Sequence, residues 1–182
     1  MAVTTLDPKT ALIVIDLQQG ILGFPTAHPI REVLAQAARL TEAFRHRQLP
    51  VVLVNVDGGA PGRTEQRFRG EFPPDWTLLA PELKQQPQDH LVTKRTWGAF
   101  TGTDLETYLR RHAVTQVVVC GVATGFGVES TARFAHELGF NVTLATDAMT
   151  DMSREVHDNC VTRIFPRLGE TGTTAEIVAL LG

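Results

Sequence analysis

Three runs of apolar, largely β-branched residues constrain this chain more than any other feature: ALIVID (11–16), VVLVNV (51–56) and QVVVCGV (116–122). Each reads as a strand buried on both faces, the pattern of a parallel sheet covered on either side. Segments at helical spacing separate them. In 29–48, Leu34, Ala37, Ala38, Leu40 and Phe44 fall on one helical face. Segment 127–138 reads as a helix that Gly139 stops. Segment 103–112 opens on Thr103 with Glu106 three residues on, the spacing of a capping box. NVTLATDA (141–148) reads as a further strand, with Ser153 placed to cap the helix after it. Strands alternating with helices imply the α/β class, with a mainly parallel sheet and helices on both faces.

The chain has 182 residues, enough for one domain over 1–182 with a real core. A net charge of −3 gives no reason to expect a nucleic acid or other polyanion as partner. No apolar run approaches the ~20 residues that span a bilayer, so no membrane role is expected. The start, MAVTTLDPKT, has neither a basic n-region nor an apolar h-region and does not read as a signal peptide. Cys120 and Cys160 make no disulfide framework, and a reducing cytoplasm is the default location. The one long irregular stretch, 57–88, is rich in Pro, Gly and charge and reads as a lid or an oligomer contact.

Open parallel sheets bind ligands at the carboxyl ends of their strands. Asp16, Lys94 and the turn from Gly121 to Gly127 all fall at such ends. Asp16 follows a buried strand: in a partly dry setting its carboxyl can serve as general acid or base, and it can equally cap a loop. Lys94, in TKRTWGAF, is a charge partner for it or an ordinary solvated lysine. A neighbouring lysine lowers a carboxyl's pKa and burial raises it, and the sequence does not say which wins. Gln18 shares a face with Asp16 if the chain stays extended, placing it to orient Asp16 or bind a polar group of a ligand. Asn55 is a further candidate at the end of the second strand. Phe24, Trp97, Phe100 and Phe126 either line an apolar pocket or pack in the core, and the pattern alone favours the core. The six histidines show no pair at metal-ligand spacing and read as mostly solvated. Cys120 and Cys160 read as buried small hydrophobes, not nucleophiles.

ALIVIDLQQG, HLVTKRTWGAF and VVVCGVATGFGVESTARFAHELGF together resemble the isochorismatase-like hydrolases, the cysteine hydrolase superfamily that includes nicotinamidases and carbamoylsarcosine amidases. The resemblance runs from about Ala11 to the C-terminus. It implies a Rossmann-like three-layer α/β/α sandwich, a hydrolase acting on a small-molecule substrate, and a homo-oligomer. The segment IFPRLGETGTTAEIVALL is apolar enough to serve as the oligomer contact. The resemblance also implies Asp16 as acid/base, Lys94 as its electrostatic partner and a cis peptide between Val122 and Ala123. Val122, Ala123, Thr124 and Phe126 would surround the substrate. The family's amidases carry their nucleophilic Cys where this chain has Gly127, so the acyl-enzyme route is closed there. Isochorismatases proper also carry Gly at that position and resemble a mechanism in which the Asp protonates a vinyl ether and water attacks the resulting cation. They have Tyr-Ala-His where this chain has Val122-Ala123-Thr124, so isochorismate itself is not implied. The family's nicotinamidases hold a metal with an Asp and two His. Here Asp57 has no His after it, so no metal and no other cofactor is expected.

Overall fold

The computed structural model describes residues 3–66 and 72–182. Six strands form one sheet in which every pairing is parallel, in the order β3-β2-β1-β4-β5-β6. In chain order the elements are β1 (Thr10–Ile15), α1 (Gln19–Leu22), α2 (Ile30–His46), β2 (Val51–Val56), β3 (His90–Lys94), α3 (Leu105–Arg111), β4 (Gln116–Val122), α4 (Glu129–Glu137), β5 (Asn141–Thr150), α5 (Arg154–Asn159), α6 (Phe165–Leu168), β6 (Glu170–Gly172) and α7 (Thr174–Leu181). The three apolar runs are β1, β2 and β4, the centre of the sheet. β1 and β4 are buried along their whole length.

Alternation along each strand sends neighbouring side chains to opposite faces. Ile13, Ile15, Val52, Val54 and Val92 pack with Leu105 and Leu109 of α3, Ala132 and Ala135 of α4, and Phe165 of α6. Leu12, Val14, Leu53 and Val118 pack on the other face with Val33, Leu34, Ala37, Leu40 and Phe44 of α2 and Ile177 of α7. The result is the expected α/β/α sandwich. The chain leaves β1 over the α2 face and returns to β4 over the α3 face. The strand order therefore reverses between β1 and β4, which opens a crevice at their carboxyl ends.

Local expectations fared unevenly. Ser153 caps α5, its hydroxyl accepting Val156 N–H. Gly139, at φ +82°, follows the end of α4 as expected. The capping box at Thr103 does not form: α3 starts at Leu105 after Asp104, and the Thr103 hydroxyl donates to Ala99 O at 2.6 Å. Glu106 instead faces Arg110 one turn on. A true capping box closes α7, between Thr173 and Glu176. The helix placed at 127–138 begins as a π-helical turn over Thr124–Val128 and only then becomes α4.

Within 57–88, residues 67–71 lie outside the described residues. Much of the rest is docked on the sheet's carboxyl edge: Leu79 bridges to Gln18, and Trp76 Nε1 donates to Val56 O at 2.8 Å. The C-terminal segment forms α6, β6 and α7 within its own chain. Phe165 and Ile177 are fully buried there, so these residues are not available to an oligomer contact. Among the described residues no helix is long and apolar enough to cross a membrane.

Candidate active site

Asp16, Lys94 and Gly127 do converge. The chain turns sharply out of β1 at Asp16, which has φ +50°, so its carboxyl leaves the alternation of the strand. Lys94 ends β3, two strands away, and on the same face as Val92. Its stem crosses the end of β2, and Nζ meets Asp16 Oδ2 at 2.7 Å. A second Nζ contact, to Thr96 O at 3.0 Å, fixes the ammonium. Both residues are buried, at 5% and 2% exposure. Asp16 Oδ1 is buried with no hydrogen-bond partner among the described residues.

Such burial is costly for a carboxylate. Desolvation raises the Asp16 pKa from 3.8 to about 6, against the charge and hydrogen bond of Lys94, which pull it down. The question left open by the sequence is thus decided by burial. Because Lys94 donates to Oδ2, the proton retained by Asp16 sits on Oδ1.

The third wall is the end of β4. Gly121 approaches β1 so closely that a Cβ there would lie 2.0 Å from Ile15 O, and its φ is +117°. Only glycine fits. The Val122–Ala123 peptide is cis, as expected from the resemblance. The π-turn that follows brings Gly127 against Asp16. A Cβ on Gly127 would stand 3.3 Å from Asp16 Oδ2, 3.5 Å from Trp97 O and 2.8 Å from Ile15 Cγ2. The last distance is too short for an unaltered structure, so the position is shaped for a residue without a side chain.

Trp97 and Phe126 meet edge to face with centroids 4.9 Å apart. They are 60% and 42% exposed, an aromatic pair beside the turn. Other sequence candidates lie elsewhere. Phe100 is in the core, near-parallel to Phe140 at 6.2 Å. Phe24 stacks edge-on to Trp76 at 6.3 Å, outside the trio. The Gln18 amide is fully engaged with the backbone, accepting Val56 N–H and donating to Val56 O and Trp76 O. The premise that it shares a face with Asp16 fails because the chain is not extended there. Asn55 has the parity of Leu53, which faces α2 and not Lys94. Its Nδ2 donates to Thr77 O, and its Oδ1 is buried without a partner among the described residues. Val122 and Ala123 pack on the α2 side of the sheet, and the Thr124 hydroxyl is 2.8 Å from His157 Nδ1.

Neither cysteine sits where a thiol is activated. Cys120 is fully buried in β4, and desolvation with the nearby Asp147 charge drives its thiol far above its ordinary range. Cys160 donates to Glu129 Oε2 at 2.9 Å. Burial, that hydrogen bond and the Glu129 charge push it up to about 12. Asp57 gives both carboxylate oxygens to Arg95, at 2.9 and 3.1 Å. Among the described residues no group of three His, Cys, Asp or Glu side chains is placed to hold a metal ion.

Sequence reasoning missed Asp151 and His157. Both are buried and both brace the turn: Asp151 Oδ2 accepts Gly125 N–H at 2.8 Å. His157 is the buried exception among the histidines, and it sits one turn into the helix that Ser153 caps. The cap and the spacing Ser153–His157 were the available signal.

The chain matches the isochorismatase domain over residues 10–176 and belongs to the isochorismatase family. It is 43% identical over 178 residues to the uncharacterised isochorismatase family protein YwoC of Bacillus subtilis, covering 93% of each chain. It is 31% identical over 164 residues to nicotinamidase 3 of Arabidopsis thaliana, covering 84% of this chain and 80% of that protein. The solved structure of an isochorismatase family protein from Burkholderia thailandensis superposes with a TM-score of 0.94 at 42% identity, covering 97% of both chains.

Proposed function

We propose that this chain is a hydrolase of small molecules that uses neither a thiol nor a metal, with Asp16 as its acid and a vinyl-ether-like C–O bond as its target. The observation that carries the reading is Asp16 itself: a buried carboxyl raised to about 6, held at Oδ2 by Lys94, with Oδ1 lacking a hydrogen-bond partner among the described residues. Such an acid holds its proton up to about pH 6, well above an ordinary carboxyl, and can give it away. Protonation of the vinyl carbon by Oδ1–H produces an oxygen-stabilised cation. Water adds to the cationic carbon and returns a proton to the Asp16 carboxylate. The hemiketal then collapses to a ketone and an alcohol, so the enzyme is regenerated and one water is consumed. Lys94 balances the carboxylate formed in the first step. Trp97 and Phe126 offer an apolar surface for the body of the substrate.

Gly127 supports this chemistry, which needs an acid, a shaped pocket and a water but no nucleophilic side chain. C–N hydrolysis by direct water attack is the broader alternative within the same site. A binding member that retained the pocket without turnover is the competing reading, favoured by the absence of a nucleophile at 127. The test is a screen of the metal-stripped protein against vinyl ethers, amides, imides and ureides, beside Asp16→Asn and Lys94→Ala. Turnover lost in Asp16→Asn and kept after alkylation of both cysteines supports the proposal. No turnover of any class, with a ligand still raising the melting temperature, favours the binding reading.

A further inference from the structure

The turn that carries Gly127 is braced from behind by a cluster outside the Asp16–Lys94 pair. Two contacts come from the end of β5 and from α5: Asp151 Oδ2 accepts Gly125 N–H at 2.8 Å, and His157 Nδ1 lies 2.8 Å from Thr124 Oγ1. Thr124 is completely buried, and its hydroxyl has no other partner among the described residues. The hydroxyl hydrogen must therefore point at His157 Nδ1. This requires a neutral His157 ring with its proton on Nε2.

A second histidine meets the first. The His28 and His157 rings are 4.5 Å apart, edge to face. Arg154 Nη1 is 3.3 Å from His28 Nε2, and a guanidinium only donates. His28 Nε2 therefore accepts, which places its proton on Nδ1, 3.0 Å from Thr150 Oγ1. Ala27 N–H to Asp151 O, at 2.7 Å, closes the cluster. The groups facing His157 are His28 from the segment before α2, Asp151 from β5, and Arg154 and Asp158 from α5.

We propose that His157 is a positioning residue of the site: its neutral ring holds the Ala123–Val128 turn by accepting the Thr124 hydroxyl hydrogen, and its protonation reverses that hydrogen bond and strands the buried hydroxyl hydrogen, weakening the hold. A protonated Nδ1 becomes a donor, so the buried Thr124 hydroxyl loses its acceptor. The new positive charge also faces His28 and Arg154. Burial is the main cause that places the His157 pKa below its ordinary 6.5, with the neighbouring His28 ring a lesser one, so the turn is held near neutral pH and loosens as the solution becomes acidic. The catalytic importance of the turn rests on the hydrolase reading above. The coupling of His157 to the turn does not.

The test is NMR in the Asp16→Asn background, which removes the carboxyl titration beside Gly127 and needs no turnover. Imidazole nitrogen spectra report the tautomer and titration of His157, while the Gly127 amide reports the turn. An Nε2–H tautomer is expected at pH 8, with the Gly127 amide shift following the His157 midpoint as pH falls. His157→Asn keeps an acceptor oxygen near the place of Nδ1 without a titration, and the pH response of Gly127 should vanish. Thr124→Val should uncouple Gly127 while His157 still titrates, and Thr124→Ser should restore the coupling even if the His157 variant does not fold. A His157 titration that leaves Gly127 unmoved overturns the proposal. So does a Gly127 response that survives in His157→Asn. Once a substrate is found, the acidic limb of kcat/KM should follow the same midpoint and disappear in His157→Asn. Its persistence would deny His157 a part in catalysis and leave the structural coupling standing.

Discussion

Asp16→Asn separates burial from ion pairing at the centre of the site, and it does so without a substrate. The wild-type carboxyl titrates at 3.8 unfolded and at about 6 folded. Between these values the folded state retains a proton that the unfolded chain has released, so wild-type stability falls as pH rises. At about 1.4 kcal/mol per pH unit the accumulated loss is about 3 kcal/mol above pH 7. Asn cannot titrate and is exempt. Removing the partner of Lys94 adds an offset to the variant, since a buried ammonium left without its carboxylate is destabilising. The quantity to follow is therefore the slope, not the sign at one pH. Urea denaturation of both proteins from pH 4 to pH 8 should show Asp16→Asn gaining about 2 kcal/mol relative to wild type between pH 4 and pH 7 and little beyond. A flat difference would mean that Asp16 ionises in the folded protein as it does in water. A slope of opposite sign would mean that Lys94 outweighs burial and that Asp16 is a permanent carboxylate. Either result would remove the acid from the proposed mechanism.

Three further outcomes follow from other parts of the structure. With Asp16 as the essential acid, kcat/KM should fall about tenfold per pH unit above about pH 6, and a rate that rises through that range would assign Asp16 the role of base. Gly127→Ala gains up to about 1 kcal/mol of helix propensity but drives a Cβ to 2.8 Å from Ile15 Cγ2, an overpacking that costs about 1–3 kcal/mol. A net loss of about 1 kcal/mol is expected by urea denaturation, and a variant more stable than wild type would show that the pocket yields freely. The Arg45–Asp89 pair, 2.7 Å apart and nearly buried, predicts a loss of about 3–5 kcal/mol for Asp89→Ala, read as a lowered denaturation midpoint. Recovery in an Arg45→Met/Asp89→Leu double variant would confirm that the loss comes from the stranded guanidinium.

The sheet was legible because β1, β2 and β4 are buried on both faces, and continuous apolar β-branched runs have few other uses. The site was legible where backbone position alone determined it: Asp16, Lys94 and Gly127 are at the ends of elements that the sheet must bring together. It failed where a side chain's direction depended on a backbone twist or on a distant loop. Gln18 was placed on the face of Asp16 by assuming an extended chain, and the positive φ of Asp16 breaks that assumption. Asn55 was close enough in sequence, but strand parity turns it toward α2. Among the four aromatics, Trp97 and Phe126 were the better candidates by their closeness to Lys94 and the turn, and they do stand together there, while packing sends Phe100 into the core. The Thr103 capping box failed because α3 begins one residue later, after Asp104, so the Thr103 oxygen accepts the amide of Leu105 and not that of Glu106.

These errors share a direction that bears on the missing thiol. Polar side chains around the crevice are mostly occupied by the protein: Gln18 by the backbone, Asp57 by Arg95, Thr124 by His157 and Cys160 by Glu129. Asp16 Oδ1 and Asn55 Oδ1 are left as buried side-chain atoms without partners among the described residues, and Asn55 points to the other face. A thiolate enzyme needs positive charge to dominate at the nucleophile so that the thiol ionises. Here burial outweighs Lys94 and raises the Asp16 pKa to about 6, while Ile15 fills the space that a side chain at 127 would need. Both features disfavour a nucleophile and favour an acid. They also make a further prediction: Gly127→Cys alone should not produce thiol-dependent amide turnover, because its Cβ meets Ile15 before the sulfur is placed. Gly127→Cys with Ile15→Val relieves only the steric half. If the single variant hydrolyses amides in a manner abolished by alkylation, the site is an ordinary thiol pocket lacking one atom, and the argument for acid chemistry fails.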